Sequence, residues 1–340
     1  MAVPNDWQAL SKPDPEFAQM IQDRFGGTAP GFPGFPDITK MRALMAKSKR
    51  AMTEHHGGTS FDGIQEKDHH ITVRDGSNIV CRSYTPESEH YGGRPVYVVF
   101  HGGGFCLGDL SNEELLCRLL CKELDIICIN VEYRLAPEHP FPAAPNDCFD
   151  ATKWVSQNAS ALGVDLRKGF VINGTSAGGN LTITVCYQWH DEGLQPPITG
   201  CHLMNGHFVD NEHVPERAKS CYQSWWELAD APILNHRYSE VFIGHYLPEK
   251  SKRGDHLFSV MRREDGPKIL PAAYFQISGL DPVRDEALIF ESWIREAGTP
   301  TKLTLYPGLP HGFWSVFPTL KSSERFFKDA IDGARWLLKK

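Results

Sequence analysis

From about residue 70 to about residue 310 the chain alternates short apolar segments with helical ones, and this rhythm restricts the fold more than any other feature. The segments run "HHITVRDGSNIVCRSYTP", "RPVYVVF", "SNEELLCRLLCKEL", "DIICINVEY", a helical stretch from about 142 to 158, and "GFVING". "AAYFQISG", "VRDEALIFESWIREAG" ended by Gly298, and "TKLTLYPG" resume the pattern further on. Strands this rich in Val and Ile are apolar on both faces, and helices of this length between them cover a sheet on two sides. The fold class is therefore α/β, a mostly parallel twisted sheet. Two regions break the rhythm. Up to about residue 60 the chain is rich in Pro and Gly, "GGTAPGFPGFPD", with one helical segment, "ITKMRALMAKSKRAM"; residues 205–260 are aromatic-rich and read as helices without a clean strand.

Composition excludes several function classes. A chain of 340 residues with 41% hydrophobic residues buries a large core. A net charge of -7 without a long basic run gives no electrostatic basis for a nucleic-acid or anionic-membrane partner. The start, "MAVPNDWQALSKPDPEF", lacks a secretory signal pattern, no 18-residue apolar window could span a bilayer, and "RWLLKK" at the end carries no recognised retention or lipidation signal. An intracellular, cytoplasmic protein is the expectation, with a homodimer compatible with it.

The nine cysteines are scattered singly, as at Cys81, Cys128, Cys186 and Cys201, and read as reduced, buried thiols. Cys117 and Cys121 are four apart on a helical stretch, but no further ligand completes a metal set. The adjacent pairs His55/His56 and His69/His70 point apart, so no metal site is expected there. Sequons at Asn158, Asn173 and Asn180 carry little meaning without a signal peptide.

The chemistry gathers at strand ends. "VINGTSAGGNL" places Gly174, Ser176 and Gly178 in a G-x-S-x-G pattern that follows a strand and opens a helix. Glycines on either side remove side chains that would collide at a sharp turn, while the helix amino end, with the Ala177 N–H, faces developing negative charge. A nucleophilic serine needs a base and the base an orienting acid, which in an open parallel sheet lie at later strand ends. Asp281 follows "AYFQISGL", and His311, the only histidine after it, follows "LTLYPGLP". Asp285 and Glu286 are rivals to Asp281, but they fall inside the next helix. A third strand runs into "HGGGF", residues 101–105, whose bare backbone N–H groups can face Ser176 and bind an oxyanion. A phosphate cradle fails on pattern, since "GGGFCLG" has neither G-x-G-x-x-G spacing nor a following Lys-Ser/Thr.

The pieces "HGGGF", "YRLAPEHPFPAA", "GTSAGGN", "GLDPVRDEA" and "YPGLPHGF" occur in order between roughly 70 and 315. Together they resemble the hormone-sensitive-lipase-like branch of the α/β-hydrolases, in which the triad order is also Ser, Asp, His. The resemblance implies a carboxylic ester hydrolase that needs no metal or organic cofactor, with Ser176 as nucleophile, His311 as base and Asp281 as its partner. It also implies oxyanion donors at Gly103, Gly104 and Ala177. By the same likeness, residues 1–60 and 205–260 form a helical cap over a core of residues 61–204 and 261–340. Thr175 departs from the pattern, because many relatives carry Asp there; some fungal members resemble this chain at that position.

The expected substrate is a small, soluble, short-acyl ester, hydrolysed through an acyl-enzyme. Phe105, Trp225, Trp226, Phe242, Tyr246, Phe313 and Trp314 are the aromatic candidates for the pocket wall, with about half expected to line it. Two other readings accompany this one: a dedicated fungal secondary-metabolite esterase of the hemiacetal-acetate type, and a non-catalytic small-molecule receptor on the same fold.

Overall fold

The structure is a computed structural model that describes residues 7–56, 62–89 and 92–339, with backbone alone for 48–56. Eight strands form one sheet: β1 (Ile64–Thr72), β2 (Asn78–Pro86), β3 (Val96–Phe100), β4 (Ile127–Glu132), β5 (Phe170–Thr175), β6 (Gly200–Met204), β7 (Ala272–Leu280) and β8 (Thr301–Pro310). Their order is β1-β2-β4-β3-β5-β6-β7-β8, antiparallel at β1/β2 and β2/β4 and parallel from β4 to β8.

Helices are α1 (Pro15–Phe25), α2 (Ile38–His56), α3 (Glu114–Leu124), α4 (Ala143–Gln157), α5 (Ala177–Asp191), α6 (Ser224–Glu227), α7 (His236–Tyr246), α8 (Gly266–Ile269), α9 (Arg284–Glu296), α10 (Phe313–Val316) and α11 (Lys321–Leu337). The two-residue period of a strand sends alternate side chains to opposite faces. Along β3, Val96, Val98 and Phe100 enter one core with residues of α4, α5 and α9, while Tyr97 and Val99 enter a second with α3 and α11. Burying a Val or Phe side chain stabilises the fold by roughly 1.5–3 kcal/mol, so both faces hold the central strands in place. Strand β5 lies between β3 and β6, and its carboxyl end is thereby fixed beside the end of β3.

The N-terminal region holds two helices where one was expected. Asp14 caps α1 by accepting from the Phe17 N–H, and Pro15 occupies a first-turn position that needs no N–H. These capping signals sit among prolines, which masked an eleven-residue helix whose Phe17 and Ile21 enter the second core. Strand β6 and helix α11 are also additions to the sequence reading. Residues 205–260 carry α6, α7 and short 3-10 turns and no strand. The nine cysteines are free, and eight of them are buried. His69 is spent on Ser83, 2.9 Å away, and on packing against Trp154. The side chains of His55 and His56 lie outside the described residues. Among the described residues no helix is long and apolar enough to cross a membrane.

Candidate active site

Ser176 occupies the single residue between β5 and α5, with φ 54° and ψ -115°. A non-glycine residue in that region costs on the order of 1–3 kcal/mol, which surrounding contacts must hold. They do so through the Ser176 N–H, which donates to the Met204 carbonyl at 2.8 Å, and through close backbone packing. A Cβ on Gly174 would fall on the Gly178 carbonyl, and one on Gly178 would fall on the Phe100 carbonyl. Only glycine fits at these two approaches, so the turn stays tight and the serine side chain stands at its apex.

Asp281 and His311 come from the ends of β7 and β8. His311 Nε2 lies 2.8 Å from Ser176 Oγ, and His311 Nδ1 lies 2.7 Å from Asp281 Oδ2. Asp281 is 1% exposed, and its other oxygen accepts from the Val283 N–H at 3.1 Å. The rival carboxylates are engaged elsewhere. Asp285 accepts from the backbone N–H groups of Gln223 and Ser224 and from Arg284, whereas Glu286 accepts from the Phe208 N–H at 2.7 Å.

The glycine loop folds against the serine. A Cβ on Gly102 would stand 3.5 Å from Ser176 Cβ, and Gly103 and Gly104 have φ of 128° and 59°. Among the described residues no hydrogen bond within the protein uses the N–H of Gly103, Gly104 or Ala177. The loop is braced from behind: His101 Nδ1 donates to the Gly102 carbonyl at 2.8 Å, its ring stacks on Tyr133, and the Tyr133 hydroxyl donates to the His101 carbonyl. From α2, Arg42 donates to the Cys106 carbonyl at 2.7 Å and to the Ala136 carbonyl at 2.5 Å.

Two cavities meet at Ser176 and His311, sharing Gly104, Leu234 and Phe242. The smaller, about 40 Å³, is walled by Phe105, Ala177, His207, Trp225, Ile243 and Val283. The larger, about 180 Å³, runs past Gly102, Gly103, Phe32, Met45 and Trp314. Of the seven aromatic candidates, Phe105, Trp225, Phe242 and Trp314 line these arms. The other three do not. Tyr246 is fully buried behind Phe105, stacked on it at 3.9 Å; Phe313 packs into the core against Tyr306 and Phe326; Trp226 is 64% exposed and borders a separate groove near α1. Helical spacing explains one of these, because the adjacent positions 225 and 226 of α6 face different ways; Tyr246 lies a turn beyond Phe242 on α7, where Phe105 stands between it and the cavity, and Phe313 is the first residue of α10.

Sequence reasoning also missed a second histidine in the smaller arm. His207 Nδ1 is 3.0 Å from Glu286 Oε1, and both side chains are mostly or fully buried. Burial works to push the imidazole pKa down, but the charge and hydrogen bond of Glu286, with Asp210 and Asp281 behind them, outweigh it and hold the value above the ordinary one. Burial pushes the Glu286 carboxyl up, opposed by His207 and by the Phe208 N–H. A histidine just past a strand end, in "MNGHFVD", was the available signal. Among the described residues no group of three His, Cys, Asp or Glu side chains could hold a metal ion.

Comparison with known proteins gives the family of this fold. An AB hydrolase superfamily protein of Schizosaccharomyces pombe is 32% identical over 331 residues, covering 97% of this chain and 95% of that protein. Versiconal hemiacetal acetate esterase of Dothistroma septosporum is 33% identical over 270 residues, covering 79% and 80%. Among solved structures, vibralactone cyclase superposes with a TM-score of 0.88 at 30% identity, covering 97% of this chain and 96% of that one. The family model described as alpha/beta hydrolase fold matches residues 97–315, and the chain belongs to that family.

Proposed function

We propose that the protein is a serine carboxylic ester hydrolase that works through an acyl-enzyme. The observation that carries this reading is the continuous hydrogen-bonded line Ser176–His311–Asp281 beside three N–H groups with no partner among the described residues. Ser176 Oγ attacks the ester carbonyl while His311 Nε2 takes its proton. The carbonyl oxygen becomes an oxyanion that accepts from Gly103, Gly104 and Ala177, each donor contributing on the order of 3–4 kcal/mol in comparable sites. The C–O bond then breaks, and the alcohol leaves with the proton from His311. Water repeats the sequence on the acyl-serine and releases the acid. Asp281 accepts from His311 Nδ1–H throughout, fixing the tautomer and stabilising the imidazolium.

In this reading the smaller arm takes the acyl group and the larger arm the alcohol. An arm of about 40 Å³ holds a short chain, which favours esters of acids with about two to six carbons. The described part of residues 1–60, together with residues 205–260, supplies Phe32, Met45, Trp225, Leu234, Phe242 and Ile243 to the walls and acts as the cap. Likeness to an esterase named for a hemiacetal acetate supports a dedicated short-acyl role as the second reading. A receptor role loses support from the intact Ser–His–Asp line. Purified protein should hydrolyse a chromogenic butyrate ester, and Ser176→Ala protein should not. Equal turnover by the two would refute the reading.

A further inference from the structure

The smaller arm is apolar apart from the catalytic pair, Ser239 and His207. His207 is held from several sides. Its N–H donates to the Ser176 carbonyl at 3.3 Å, its carbonyl accepts from Asn180 Nδ2 at 3.0 Å, and its Nδ1 is bound to Glu286. The two nitrogens of an imidazole point away from each other, so binding Glu286 through Nδ1 turns the Nε2 edge to the opposite side. That Nε2 is buried and, among the described residues, has no hydrogen-bond partner. Buried polar atoms in native proteins are nearly always paired, and one left unpaired on a residue that lines a substrate cavity calls for a partner the protein does not supply. The buried carboxylate of Glu286 favours the protonated ring, which makes Nε2–H a donor.

We propose that His207 is a specificity-determining residue: its Nε2–H donates to an oxygen carried on the acyl group, so that short alkoxy-, hydroxy- or oxo-acyl esters are favoured over alkyl esters of equal length. This rests on the ester-hydrolase reading above. An alkyl chain leaves the donor unsatisfied, whereas an acyl oxygen pairs it, a difference of about tenfold or more in kcat/KM. A rigidly positioned donor discriminates better than a mobile one, and His207 is fixed at backbone and ring alike.

The test uses p-nitrophenyl methoxyacetate and p-nitrophenyl butyrate, which differ by one oxygen in place of a methylene. The intrinsic reactivities of the two esters cancel when their kcat/KM ratio is compared between proteins. In His207→Phe the methoxyacetate-to-butyrate ratio should fall about tenfold or more, and His207→Gln, which keeps a donor, should retain part of it. In the wild type alone, the same ratio should exceed that of the hydroxide-catalysed rates in buffer. An unchanged ratio in His207→Phe, or, if that variant does not fold, a wild-type ratio no higher than the hydroxide one, overturns the proposal. Hydrolysis of neither ester by the wild type would instead bring down the ester-hydrolase reading and this proposal with it.

Discussion

His311 Nε2 lies 2.8 Å from Ser176 Oγ across a separation of 135 positions in the chain. The distance is set by the ends of two strands, since β5 delivers the serine and β8 the histidine to the same edge of one sheet. The order β5-β6-β7-β8 then places Asp281, at the end of β7, where it reaches His311 from behind.

In the proposed mechanism the three residues act as one unit, so Ser176→Ala, His311→Ala and Asp281→Asn should each fold and each lose kcat by on the order of 10³-fold or more. The double variants should be little worse than the singles. Steady-state kinetics on a butyrate ester, with circular dichroism to check folding, measures this. A His311→Ala protein retaining more than about a tenth of the rate would remove the histidine from the base role.

The glycine loop gives a sharper expectation. A Cβ at Gly104 would stand 2.7 Å from the Phe242 ring and sit on a residue with φ 59°. Gly104→Ala should therefore displace the backbone donors, lowering kcat about 10²-fold or more while KM changes less, because the oxyanion exists only in the transition state.

Acyl-length preference follows from the walls of the smaller arm. For the wild type, kcat/KM should peak at about two to six acyl carbons and fall steeply by about twelve, since each methylene that fits gains roughly 0.8 kcal/mol and each that does not fit clashes. Ile243 lines only this arm. Ile243→Ala should move the optimum up by about one to three carbons and lower stability by about 2–5 kcal/mol. A series of p-nitrophenyl esters reads the first effect and urea unfolding the second; an unmoved optimum would place the acyl group in the other arm.

Arg42 ties α2 to the glycine loop through the carbonyls of Cys106 and Ala136, and its link to Glu138 at 2.9 Å is the more exposed part. Arg42→Ala should cost about 2 kcal/mol, mostly from the two carbonyls left without their charged donor. Activity should fall several-fold with it, because Cys106 belongs to the turn that carries Gly103 and Gly104. Wild-type stability and rate in this variant would show that α2 does not brace the loop.

Much of the site was legible because its parts are local. Gly174, Ser176 and Gly178 announce a tight strand-to-helix turn, and Asp281 and His311 each follow a strand within a residue of its end. The cavity walls were not legible in the same way. Trp226 and Trp225 are adjacent, yet one faces solvent and the other the cavity. Tyr246 looks like a wall residue by composition but serves as backing for Phe105. The pairing of His207 with Glu286 joins residues from a loop after β6 and from α9, and no spacing rule predicts a contact of that kind. Strand β6 went unread because its sequence, "GCHLM", carries a single β-poor stretch that only the flanking strands β5 and β7 make into a strand.

The most direct measurement is the site of covalent modification by a serine-directed organophosphate, read by intact-protein and peptide mass spectrometry alongside residual activity. The expected result is one adduct per chain, on Ser176, with activity falling in proportion to labelling and no adduct on the Ser176→Ala protein. Inactivation without modification of Ser176, or the same adduct forming at another residue with loss of activity, would contradict the assignment of Ser176 as the nucleophile.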